Sequence, residues 1–178
     1  MPLLVTGLDL SRFVALAVGI VACWFDVRTR HIPNVLTLGG AALAIVYGGM
    51  AFGWLGLALA VGGWLTGFAL FVPFFLLGGM GAGDVKLLAC LGAWLGPSLA
   101  LWTALYAMIA GGLMAVVVGL LAGYLREAMF NVWMLLLHFR SAGLKAAPEL
   151  TLATAKGPRL PYALPIAAGA AIAIWFKS

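Results

Sequence analysis

The sequence predicts an all-α membrane protein, a polytopic bundle of about six transmembrane helices with an amphipathic helix on its cytoplasmic side. Three observations lead there. Hydrophobic residues make up 65% of the chain and charged residues only 8%, a balance outside the range of soluble domains. The apolar residues fall in runs suited to spanning helices of about 20 residues. The few charges gather in short stretches between those runs. The 178 residues suit one bundle with short connections, so a single domain over 1–178 is expected.

The first span is expected over about 10–25, ending at Asp26. No cleaved signal peptide is expected before it, because the first charge is Asp9 and the first basic residue Arg12. A polar stretch follows, Asp26-Val27-Arg28-Thr29-Arg30-His31-Ile32-Pro33-Asn34. Pro33 closes that loop and pre-sets a helix start, with Asn34 near a capping position. The second span is expected over about 35–52 and the third over about 54–77, with Gly53 between them and Pro73 kinking the last turns.

The chain then enters Gly78-Gly79-Met80-Gly81-Ala82-Gly83-Asp84-Val85-Lys86. A fourth span of about 85–95 and a fifth of about 99–123 follow, with Gly96-Pro97-Ser98 as the favoured break and Gly111-Gly112 as the alternative. The loop 124–160 is rich in charge. Within it Met129 to Phe139 is apolar but too short to span, which reads as an interfacial or re-entrant helix. The sixth span is expected over about 161–176.

Six crossings place Arg28, Arg30, Lys86, Arg126, Arg140, Lys145, Lys156 and Arg159 on one side and only Arg12 and Lys177 on the other. By the positive-inside rule the first side is cytoplasmic and both termini lie outside. Glycine spacings such as Gly63 to Gly67, Gly92 to Gly96 and Gly119 to Gly123 read as close internal helix packing. Trp24, Trp54, Trp94, Tyr124 and Trp175, near span ends, read as interfacial anchors. Cys23 and Cys90 are expected to be small buried hydrophobes, and the spacing of His31 and His138 suggests no metal site.

Of five acids, Asp9 has the look of a solvated cap, and Glu127 and Glu149 sit among cations of the long loop. Asp26 and Asp84 remain, each at a membrane boundary on the cytoplasmic side. A carboxylate near lipid is costly and implies a function or a partner. Only 13 residues separate Arg12 from Asp26. The first and fourth spans would thus rise only about 20 Å, against a hydrocarbon core of about 30 Å, recessing both carboxylates unless Arg12 snorkels or the fourth span continues past Pro97.

Two carboxylates brought together hold one proton between them, one activating water while the other donates to a carbonyl. Helix polarity favours an ionised Asp84 at a helix N-terminus and disfavours one at Asp26, at a helix C-terminus. That makes Asp84 the expected base and Asp26 the expected acid. Gly81 and Gly83 read either as a flexible turn or as backbone that a peptide approaches closely. Lys86 is placed either to steady the carboxylate or to face lipid headgroups.

The Asp26–Asn34 stretch, followed later by Gly81-Ala82-Gly83-Asp84-Val85-Lys86, resembles the two signatures of the type IV prepilin peptidases, membrane aspartyl proteases that include the archaeal preflagellin peptidases. Pro161-Tyr162-Ala163-Leu164-Pro165 is similar to the start of that family's final helix. The resemblance implies a catalytic dyad of Asp26 and Asp84, with Arg28, Pro33, Asn34, Gly81, Gly83 and Lys86 binding substrate or shaping the loops. It implies removal of a leader from a prepilin, at the cytoplasmic face of the inner membrane, ahead of the pilin's apolar helix.

The chain looks like the short peptidase-only branch serving Flp/Tad-type pili, with preflagellin peptidases as neighbours. Larger members add a domain with paired cysteines and methylate the new N-terminus; no methyltransferase activity is expected here. The implied partners are a prepilin and the lipid bilayer, with no nucleic acid, metal or cofactor. A proton-coupled transporter using Asp26 and Asp84, or a non-catalytic pilus-assembly scaffold, stands as the alternative. Against transport, no internal repeat relates the two halves.

Overall fold

The computed structural model describes residues 2–77, 79–123, 126, 129, 130, 133, 134, 137 and 160–177, with side chains from Asp9 onward. The described residues are helical apart from short turns and contain no strand. They form α1 (Pro2–Thr29), a π-helical turn (Val35–Gly39), α2 (Gly40–Leu76), α3 (Ala82–Leu121) and α4 (Ala163–Lys177). Asp9–Thr29, Val35–Leu76 and Ala82–Leu121 are each long and apolar enough to cross a membrane, and α4 is apolar but shorter. The protein is a helical membrane protein.

α1 turns Ser11, Ala15, Ala22 and Asp26 inward, all buried at the three- and four-residue spacing of one helix face. Its small residues allow close approach, and Gly19 lies against Ala167 of α4. Arg30 adopts a left-handed φ of 54° and its N–H donates to the Asp26 carbonyl at 3.0 Å, which terminates the helix. Pro33 then prevents its renewal.

α1 is longer than the span expected over 10–25: its 28 residues rise about 42 Å. Arg12 does not break it, because its guanidinium stays partly exposed and pairs with Asp9 at 3.5 Å. Shortness of this helix therefore does not account for the burial of Asp26.

α2 and α3 are each interrupted by a glycine that only glycine tolerates, Gly53 (φ 64°, ψ −149°) and Gly96 (φ 79°, ψ 172°). Gly96 precedes Pro97, which disfavours helical backbone at the residue before it. The chain doubles back at both places. A Cβ on Gly48 would lie 2.8 Å from the Gly56 carbonyl oxygen, and one on Gly92 would lie 3.2 Å from the Ala100 Cβ. Residues eight apart along an unbroken helix sit about 12 Å from one another. The breaks fall where the sequence placed them, and Gly111 instead stays helical and packs on Tyr162. The backbone also stays helical through Pro73.

The first part of α3 is the centre of the bundle. Leu87, Leu88, Ala89, Cys90 and Leu91 are all buried, so this stretch has no solvent or lipid face. A helix apolar all round belongs inside. It meets α2 through glycines: a Cβ on Gly63 would strike the Gly92 carbonyl oxygen, and one on Gly67 would sit 2.5 Å from that of Leu88. The expected internal role holds for Gly63, Gly67 and Gly92. Cys90 is buried against Gly40, and Cys23 is half-buried.

Trp24, Trp54 and Trp175 are exposed, as anchors would be. Trp94 is not one: it packs beside Tyr47, with ring centres 5.8 Å apart, and its indole N–H is buried. The expected loop helix and Tyr124 lie outside the described residues, except for Arg126, Met129, Phe130, Trp133, Met134 and Leu137, which are helical and exposed.

The glycine contacts predict opposite effects at two helical positions. Gly92→Ala forces α2 and α3 apart and lowers stability by about 1–3 kcal/mol. A Cβ on Gly112 meets nothing within 4 Å, so Gly112→Ala raises stability by roughly 0.5–1 kcal/mol. Thermal unfolding in detergent measures both.

Candidate active site

Asp26 and Asp84 reach one end of the bundle by separate routes. Asp26 lies in the last turn of α1, only 8% exposed. Asp84 lies in the first turn of α3, just ahead of that helix's enclosed stretch, and is itself partly buried. The two carboxylates are near enough for Asp84 to feel the charge of Asp26. The other described acid, Asp9, is far along α1, paired with Arg12. Glu127 and Glu149 lie outside the described residues.

Backbone amides hold both carboxylates. The Gly81 N–H donates to Asp84 Oδ2 at 3.2 Å, closing a capping arrangement at the start of α3. The Ala163 N–H donates to Asp26 Oδ2 at 3.1 Å within the protein interior. Ala163 opens α4, so the free amides of a helix N-terminus face Asp26 as well. This removes the ground for assigning the base to Asp84 and the acid to Asp26 by helix polarity. Each carboxylate accepts a helix-terminal amide.

Tyr162 stands in the turn before α4. Burial first, and the Asp84 charge second, push its phenol above the ordinary value. It presents a neutral hydroxyl at physiological pH. Its ring also packs against Gly111, so the turn carrying Ala163 is wedged in place.

The other residues singled out in the sequence divide into two groups. Lys86 Nζ donates to Asn34 Oδ1 at 3.0 Å, tying the loop after Asp26 to the helix that carries Asp84. Asn34 makes no side-chain cap, because its side chain serves this bond. The Pro33 carbonyl accepts the N–H groups of Leu36, at 3.0 Å, and Thr37, at 3.3 Å, and so opens the π turn. Gly83 lies against Ile32, where a Cβ would meet it at 3.5 Å, and Gly81 lets the Asp84 carboxylate fold back over its backbone. These contacts join the segments that flank the two aspartates. Arg28 stands apart: its guanidinium lies 4.1 Å from the Trp24 ring centre, on an exposed face.

Ala163 was invisible as a site residue beyond its place in the Pro161–Pro165 resemblance. It acts through a main-chain N–H, which no side-chain pattern records. Among the described residues no group of His, Cys, Asp and Glu has the arrangement to hold a metal ion.

Fold and site together define a helical membrane protein with a carboxylate pair at one end of its bundle. The sequence profile of the type IV leader peptidase family matches residues 13–116, a region containing both aspartates, and the chain belongs to that family. It is 35% identical over 133 residues to a prepilin leader peptidase/N-methyltransferase of Dickeya chrysanthemi. That alignment covers 68% of this chain and 40% of the relative's length. No solved structure matches.

The Lys86–Asn34 bond predicts coupling between the two loops. A double-mutant cycle of Lys86→Met and Asn34→Leu, read by thermal unfolding, gives a coupling of about 0.5–1 kcal/mol, the size of a partly exposed hydrogen bond.

Proposed function

We propose that this protein is an aspartic endopeptidase that removes the leader from type IV prepilins of the Flp kind at the cytoplasmic face of the inner membrane. The observation that carries the reading is the convergence of Asp26 and Asp84, from two helices, within the family-matched region. The chain crosses the membrane six times with both termini outside, its turns at Gly53 and Gly96 lying at the outer surface. Asp26 and Asp84 then share the cytoplasmic side with Arg28, Arg30 and Lys86.

In the reaction, the ionised carboxylate takes a proton from water as the water oxygen attacks the scissile carbonyl carbon. The protonated partner donates to the carbonyl oxygen, giving a neutral tetrahedral diol. Its collapse breaks the C–N bond, with a proton delivered to the leaving amine. The amides of Gly81 and Ala163 orient the carboxylates before substrate arrives, and the Tyr162 hydroxyl supplies a neutral donor beside Asp84. Lys86 and Asn34 hold the two loops in register. No step calls for a metal or cofactor. The reading assigns no methyl transfer to these residues.

Leader removal from a co-expressed Flp-type prepilin, followed by gel shift, tests the assignment. Asp26→Asn and Asp84→Asn each lower the rate by about 10²–10⁴-fold, the contribution of a positioned general acid or base. Cleavage by either variant at the wild-type rate would sink the dyad.

A second substitution tests the amide. Ala163→Pro deletes the N–H that holds Asp26 and lowers kcat/KM by about 10–100-fold, as expected for losing a hydrogen bond to a charged group worth about 1.5–3 kcal/mol. Ala163→Gly keeps the N–H and retains most of the activity.

A further inference from the structure

A crevice opens beside the candidate site. α1 and the first part of α2 each lean on α3 but make little contact with each other. The gap between them is an apolar cavity of about 670 Å3. Val14, Val18 and Phe25 of α1 form one wall, and Leu36, Gly40 and Leu43 form the other. The floor is supported by Cys90, which packs on Gly40 and contacts the Leu36 carbonyl oxygen at 3.9 Å.

Two features set this crevice apart from the remaining lipid-facing surface. Its end lies at the level of Asp26: Phe25, the residue before Asp26, lines it, and so does Pro33. From Asp26 to Val14 α1 rises about 18 Å, so the crevice runs from the catalytic end well into the bilayer. Its second wall is also built around the π turn Val35–Gly39. Such a turn departs from the regular helical register and is often found at functional sites.

We propose that this crevice seats the apolar helix of the prepilin, holding the scissile bond beside Asp26. The proposal rests on the peptidase reading above. Cleavage immediately ahead of an apolar helix requires that helix to leave the dyad directly into the membrane, and the crevice supplies that exit. Phe25, Val18 and Val14 lie on the flank of α1 next to its Asp26 face, at 100° per residue. The substrate helix therefore ends at Phe25, and the extended residues before it turn inward onto the two carboxylates. Gly39 faces open space, since a Cβ there would meet nothing within 4 Å. Its backbone is ordinary helix (φ −63°, ψ −43°), which leaves glycine with no conformational duty.

Photo-crosslinking with a benzophenone amino acid maps the contact. The probe replaces Val35, Leu43 or, as a comparably exposed position on α3, Ile109, in an Asp84→Asn background that retains substrate. With a co-expressed Flp-type prepilin, adducts form from Val35 and Leu43 at about tenfold the yield from Ile109. Equal yields, a preference for Ile109, or no adduct from Val35 and Leu43 would overturn the proposal.

The protein without probe is assayed in parallel. If it cleaves the prepilin while adducts form elsewhere, only the crevice assignment fails. If it cleaves no prepilin, the peptidase reading fails and this one with it. Gly39→Leu gives an independent measurement, because Gly39 lines the crevice and a Cβ there meets nothing within 4 Å. KM for membrane-embedded prepilin rises about tenfold, and by more than kcat falls; an unchanged KM contradicts docking there.

Discussion

Burial of the first half of α3 on every side is the constraint from which the rest of the structure follows. A helix with Leu87, Leu88, Ala89, Cys90 and Leu91 all inside needs neighbours around its whole circumference. In lipid, apolar side chains alone provide no drive to associate, so packing must come from close approach. The glycines provide it: Gly63 and Gly67 of α2 seat against Gly92 and Leu88, and Gly40 seats against Cys90. Around this centre α1 and α4 close the remaining arc, with Gly19 on Ala167.

That arrangement determines where the acids go. Asp84 opens the central helix, so it enters the bundle at the point where α1 ends and α4 begins. The close packing of α1 on α4 brings the Asp26 carboxylate under the Ala163 amide at 3.1 Å. A buried carboxylate without such donors would be strongly disfavoured. The same amide that makes the burial of Asp26 tolerable also fixes its direction. Stability of the bundle and geometry of the pair are thus linked at one contact.

Much of this was legible in the residues, and for identifiable reasons. Gly53 and the Gly96-Pro97 pair signal chain reversals because few other sequences accept those backbone angles, and both breaks fall as read. Asp26 and Asp84 stood out because acids are so rare here that each demanded an explanation. α1 runs past the expected span at both ends, and Arg12 does not bound it because Asp9 one turn away pairs with it. Trp94 was misread as an anchor because its position near a span end does not reveal that Tyr47 covers it. Asn34 stands at the N-cap position as read, but its side chain serves Lys86 across the fold instead of the helix amides. The Ala163 amide left no trace, as main-chain donors carry no residue-type signal. Helix polarity, argued from α1 and α3 alone, pointed to a division of roles that α4 cancels.

The central claim is that Asp26 and Asp84 occupy one site. Thiols introduced by Asp26→Cys and Asp84→Cys, with Cys23→Ala and Cys90→Ala in the same chain, test this through a short bifunctional thiol reagent. The account predicts rapid intramolecular linkage, read as a fragment pair held together after cleavage of the chain between residues 26 and 84. Full labelling of both thiols by the reagent without linkage would contradict it.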